Sequence, residues 1–209
     1  MRLGVKPVAF LVRLLAWFAV TYALWMQLAP LYTQFLAVLS QPAVSLFDRP
    51  TLLWAQSTSI LFWPRTMTPP SRPPAVAAEW IQANLVLLIP LMLATPAATW
   101  AMKAKRCALA LAIVVAWQIL DVTLAIKFGY ATQIDPRAYP EWKRYFYAFA
   151  TNLVMFLDTQ VIPFMIWAGI HFRQLLGTLG ASPVAAKIAG RSSESVAGRS
   201  ARKLGKVKA

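Results

Sequence analysis

Apolar residues fall along this chain in four long runs, at about 8–28, 81–100, 107–128 and 150–172. A helix needs about 20 predominantly apolar residues to cross a bilayer, so each run predicts a spanning helix. The first is interrupted only by Arg13, whose long side chain can reach the interface. It is too long for a signal peptide and no A-x-A cleavage site follows it, so it reads as an uncleaved span. Pro90 and Pro96 interrupt the second run and Pro163 the fourth. Neighbouring helices can satisfy the backbone groups that prolines leave open.

Between the first two runs the pattern changes. Leu31, Phe35, Val38 and Leu39 recur at helical spacing in PLYTQFLAVLSQPAVSLF, which predicts an amphipathic helix lying on the membrane surface. TLLWAQSTSILFW has two β-prone apolar ends around Gln56-Ser57-Thr58-Ser59 and predicts a short hairpin. PRTMTPPSRPPA carries five prolines and reads as an extended linker. Trp54, Trp63 and Trp80 fit an interfacial aromatic belt. After the third run, Asp135-Pro136 and Tyr139-Pro140 mark turns in a loop rich in aromatics.

Composition agrees with the pattern. The chain has 209 residues, 59% hydrophobic and only 13% charged. Soluble domains carry about a quarter charged residues. The predicted class is therefore an all-α membrane protein, with four transmembrane helices, a proline-rich extracytoplasmic loop and a possible β-hairpin. Residues 1–177 form the membrane domain and 178–209 a basic tail expected to be disordered.

Charge orients the spans. From Arg173 onward there are eight basic residues against one acidic, Glu194. Beside a membrane helix such a tail reads as cytoplasmic and in contact with anionic lipid, not as a nucleic-acid site. With both termini inside, 14 basic residues lie on the inner side and seven on the outer. Lys103, Lys105 and Arg106, in a short loop, and Arg173 are the expected lipid contacts.

A carboxylate inside a span costs roughly 2.5 kcal/mol or more at the bilayer centre. Two are present, Asp121 and Asp158. In this topology Asp121 lies about 21 Å from the inner end of its span and Asp158 about 12 Å from the outer end of its own. Across a core about 30 Å thick, both then fall at similar depth in the outer half. Gln118 shares a helix face with Asp121. Asn84 and Asn152 begin their spans on the same side, and Gln160 follows Asp158. These six residues form an expected polar cluster. It is either an outward-opening binding or coupling site, with one aspartate protonated or partnered by Lys127, Arg137, Lys143 or Arg144, or interhelical hydrogen-bond glue.

Other chemistry is thinly represented. The one cysteine, Cys107, and the one histidine, His171, fall at inner helix ends. A cysteine nucleophile beside a histidine is a recognised arrangement, but the start of an apolar helix and a helix C-terminus explain these positions as well. No disulfide within the chain, no two-histidine zinc site and no glycine-rich phosphate loop can be assembled from these residues. No cofactor and no metal are expected.

Two stretches resemble a known family. Asn84-Leu85-Val86-Leu87-Leu88-Ile89-Pro90-Leu91, continuing to Ala94-Thr95-Pro96, is one; Phe156-Leu157-Asp158-Thr159-Gln160-Val161-Ile162-Pro163-Phe164 with Trp167 is the other. They resemble the exosortase H-associated membrane proteins, over roughly residues 80–172. The resemblance implies a bacterial inner-membrane accessory to a protein-sorting transpeptidase, with the exosortase as partner and no chemistry of its own. Exosortases proper carry a catalytic cysteine, arginine and histidine on the outer side. Here Cys107 is followed by Ala108-Leu109-Ala110 and is expected inside, so no catalytic residue carries over. The alternative function is a small transporter or proton-coupled component using Asp121 and Asp158.

Overall fold

A computed structural model describes residues 7–46, 50–96 and 99–180; the side chains of Pro7, Thr159, Gln160 and 173–180 are outside the described set. The chain divides into two units, Met1–Trp167 and Ala168–Ala209, and the packing below belongs to the first. Its elements are α1 (Pro7–Leu46), β1 (Thr51–Gln56), β2 (Ser59–Pro64), β3 (Ala75–Ala77), α2 (Ala78–Ala94), α3 (Trp100–Gly129), α4 (Glu141–Gln160) and α5 (Ile162–Gly180), the last reaching into the second unit. The fold is mostly helical with one small sheet.

Helix α1 corrects the first expectation. The predicted span and the predicted surface helix are one continuous helix of 40 residues, with Pro30 and Pro42 inside it. At 1.5 Å per residue it is about 60 Å long, roughly twice the hydrocarbon thickness. Its second half is not a lone surface helix, because one of its faces packs on protein. Leu31, Phe35, Val38 and Leu39 point outward, while Thr33, Leu36, Ala37, Ser40 and Val44 are buried. The bulky apolar stripe faces the surroundings and the smaller, more polar stripe faces protein. That arrangement suits lipid, because tails are as apolar as leucine and helices approach one another through small residues.

The hairpin forms as expected. Its register runs from Thr51↔Pro64 to Gln56↔Ser59, leaving Ser57-Thr58 as a two-residue turn. Ser57 has φ 57°, the left-handed conformation that matches such a turn to strand twist. The third strand was not expected. The end of the proline-rich segment pairs with β2 as Ala75–Ala77, antiparallel, in the order β1-β2-β3. Strand β3 runs straight into α2, and the Ala78 N–H donates to Thr58 O at 2.9 Å. The free edge of β1 is met by a side chain: the Gln41 amide donates to Thr51 O and accepts from the Leu53 N–H at 2.9 Å.

The core lies where the sheet meets the C-terminal half of α1, the start of α2 and the end of α3. Leu36, Ala37, Val44, Ile60, Phe62, Ala78, Ile81, Val122, Ile126 and Tyr130 are all buried there. Phe62 packs on Tyr130 with ring centroids 5.8 Å apart. Its ring also sits against Gly129, where an added Cβ would fall 2.4 Å from Phe62 Cζ.

The remaining helices shift the expected boundaries. Helix α2 ends at Ala94, where the Thr95 hydroxyl donates to Leu91 O at 2.7 Å, and its 17 residues make about 25 Å. Helix α3 begins at Trp100, capped by the Thr99 hydroxyl, so Lys103, Lys105 and Arg106 ride on its first two turns instead of forming a loop. Lys103 donates to Leu93 O at 2.7 Å and so satisfies one of the open carbonyls at the end of α2. The turn signals after α3 hold: its last turn widens over Tyr130–Ile134, a single tight turn follows at Pro136–Ala138, and Pro140 precedes α4. The expected fourth span is divided, with α4 starting earlier, at Glu141, and ending at Gln160, and α5 starting at Ile162. Pro163 lies in the first turn of α5, where its missing N–H costs nothing to α5 but cannot continue α4.

Among the described residues two helices, α1 and α3, are long and apolar enough to cross a membrane; the bent α4–α5 pair makes a third if it is one span, and α2 is a shorter apolar helix. The large apolar side chains left exposed include Leu11, Met26, Leu109, Trp142, Phe149 and Phe156. Apolar exposure on this scale exceeds what a water-soluble monomer carries and fits a membrane protein. The tail beyond Gly180 and the N-terminal Arg2 and Lys6 lie outside the described residues.

Candidate functional site

Three helices bring the polar residues together. Helix α2 supplies Asn84, α3 supplies Gln118 and Asp121, and α4 supplies Asp158; all four are buried, none more than 4% exposed. The placement follows from local structure. The sheet holds the first turn of α2 at the hairpin tip, where the Thr58 hydroxyl meets Glu79 at 2.5 Å, and Asn84 follows about one and a half turns later. Gln118 and Asp121 share a face of α3. Asp158 stands in the last turn of α4, next to the break before Pro163.

The hydrogen bonds run in one direction. The Gln118 amide N–H donates to the backbone carbonyl of Ile81 at 3.0 Å and to Asn84 Oδ1 at 2.7 Å. Asn84 Nδ2 donates to Asp158 Oδ1 at 2.6 Å. On the far side, the Tyr32 hydroxyl of α1 donates to Gln118 Oε1 at 2.5 Å. A backbone carbonyl only accepts, so Ile81 fixes which end of the Gln118 amide carries nitrogen, and the polarity of every other link follows. The Asp121 carboxyl lies within hydrogen-bonding reach of the Asp158 carboxyl. Asp158 Oδ2 is buried and, among the described residues, accepts from no amide, hydroxyl or indole. The buried Trp117 indole N–H lies near the same carboxyl without hydrogen-bond geometry.

Sequence reasoning therefore placed Asn84, Gln118, Asp121 and Asp158 in one cluster, and the structure joins them. Asn152 is not part of it: the residue is exposed and its amide donates to Ala148 O at 2.7 Å on its own helix. The side chain of Gln160 lies outside the described residues, as does that of Arg173. The expected basic partners do not reach in. Among the described residues neither aspartate has an ion pair; Arg144 instead pairs with Glu141 at 3.6 Å and Lys143 lies over the Trp142 ring. Tyr32 and Trp117 were missed. Nothing in the sequence marks Tyr32, because its helix was expected to lie on the surface.

A second polar contact stands beside the first. Gln82 Nε2 donates to the Thr33 hydroxyl at 2.9 Å, and that hydroxyl donates to Ala29 O at 2.8 Å. Lower down, the Trp167 indole donates to the Thr95 hydroxyl at 2.8 Å. Cys107 is half-buried on α3 in the first unit, and His171 lies on α5 in the second. Among the described residues no three His, Cys, Asp or Glu side chains are grouped so as to hold a metal ion. No family model matches the chain, and neither does any curated protein or solved structure.

Proposed function

We propose that this chain is a non-catalytic accessory protein of the bacterial inner membrane, serving an exosortase-type protein-sorting system. It crosses the membrane four times with both termini in the cytoplasm, which accords with the 14-to-seven division of basic residues. Helix α2 is somewhat short for a span, a mismatch that bilayers absorb at modest cost. One observation supports the reading above the others. The two stretches that carry the family resemblance are tied side by side at two points, by Asn84 to Asp158 and by Trp167 to Thr95. The residues of the shared pattern are thus the ones that join one helical unit, as a common fold would require. Crosslinking in intact membranes tests the proposal. A tagged chain should capture an exosortase, and deletion of the gene should leave exported substrates unsorted. Capture of no exosortase together with normal sorting would refute it.

The second reading is a small transporter or proton-coupled component, in which Asp121 and Asp158 carry the coupling. What favours it is that both carboxyls are buried without an ion pair among the described residues. Intramembrane carboxyls mark proton and ion pathways in many membrane proteins. Asp158→Asn should then abolish a proton-driven flux in proteoliposomes while the protein still assembles. An unchanged flux would dismiss this reading.

A further inference from the structure

We infer that Asp121 and Asp158 form a one-proton binding site in which Asp158 holds the negative charge and Asp121 the proton. The argument begins with donors. Two carboxylates have none, so side chains within hydrogen-bonding reach of each other need one proton between them. The buried Asp158 Oδ2, with no amide, hydroxyl or indole donor among the described residues, is an acceptor awaiting that proton. Such an atom costs free energy unless it is satisfied.

The charge is placed by the hydrogen-bond chain. Gln118, held by Ile81 O, presents nitrogen to Asn84 Oδ1, and Asn84 must then present nitrogen to Asp158. Tyr32 completes the set by donating to the free Gln118 oxygen. Every amide of the chain is turned so that a donor ends on Asp158 Oδ1. Hydrogen bonds to an ionised acceptor are roughly twice as strong as neutral ones, so the carboxylate belongs where the donor arrives. Among the described residues Asp121 receives no comparable donor. Among the described residues, the groups facing the pair are Asn84 from α2, Trp117 and Gln118 from α3, and Tyr32 of α1 through Gln118. Among the described residues no ion pair supplies a positive charge.

This inference deepens the coupling reading and rests on the same two aspartates, but it concerns the resting protein and is tested apart from transport. Infrared spectroscopy of the full chain in lipid nanodiscs at neutral pH should show the carbonyl stretch of a protonated carboxylic acid, lost in Asp121→Asn and kept in Asp158→Asn, where the buried Asp121 still holds its proton. Stability then assigns the proton. Asparagine is a near-isostere of the protonated acid and keeps its donor, so Asp121→Asn should unfold within about 2 °C of the parent. Asp158→Asn replaces the ionised acceptor of Asn84 with a neutral one and should lower the midpoint by about 6 °C. Absence of the band in the parent chain overturns the site, whatever the variants do. Loss of the band on adding sodium at constant pH replaces the proton with a metal cation. Equal effects of the two substitutions, or the reverse order, overturn the assignment to Asp121. A flux without the band would defeat the inference and leave the coupling reading standing; the band without flux would do the opposite.

Discussion

Asn84 is the residue on which the polar cluster turns, because it touches two partners with opposite ends of one amide. Asn84→Leu removes the acceptor of Gln118 and the donor to Asp158 together. Leaving a buried polar group unsatisfied costs about 1–3 kcal/mol and more for a charged one, so a loss of about 3 kcal/mol is expected. Tyr32→Phe deletes only the outermost link, at Gln118 Oε1. Interhelical hydrogen bonds in membranes average about 0.6 kcal/mol, and Tyr32→Phe should cost about 1 kcal/mol or less. Unfolding of both variants in mixed micelles checks the order. Equal losses would mean that the chain is not a directed series.

At the scale of elements, the sheet is joined to the helices by two local devices. Gln41 stands in for a strand: its amide pairs with the C=O and N–H that β1 would otherwise offer to another chain. Gln41→Leu leaves both groups without that partner and should cost about 1–2 kcal/mol. Faster amide exchange at Leu53 than in the parent would report it directly. The second device is Gly129. Its missing Cβ leaves room for the fully buried Phe62 ring. Gly129→Ala should destabilise by about 1–3 kcal/mol through overpacking. The paired substitution Gly129→Ala with Phe62→Leu should recover part of that, and a failure to recover would place the strain elsewhere.

For the molecule as a whole, topology is the open quantity with the most direct readout. Cys107 is the only cysteine, so Cys107→Ser gives a clean background. A cysteine at Ser71, in the proline-rich segment, should react with a membrane-impermeant thiol reagent from outside. One at Ser182, in the basic tail, should react only after permeabilisation. Labelling of both from the same side would be incompatible with four crossings and cytoplasmic termini. The tail's charge of +7 from Arg173 onward also predicts binding to anionic vesicles that weakens as salt rises, since the attraction decays within a Debye length.

Some of this was legible in the residues alone and some was not. Hydropathy suffices for the membrane class, because a bilayer demands long apolar runs whatever they pack against. Two β-prone apolar ends around a polar turn likewise suffice for the hairpin, and the rarity of intramembrane carboxylates singles out Asp121 and Asp158. Partnership was beyond it. Tyr32 and Asn152 look alike as polar residues near an apolar run, yet Tyr32 joins the cluster and Asn152 satisfies itself on α4. The second half of α1 was read as a separate surface helix, since its apolar stripe does not reveal that the smaller, more polar face opposite packs on protein. Strand β3 was hidden among prolines, and only the open edge of β2 recruits it. Local chemistry and the solvent thus determine which residues are costly, while the crossing of α1, α2, α3 and α4 decides which of them meet. A hydrogen bond depends on a few tenths of an ångström between distant segments, and periodicity carries no such information.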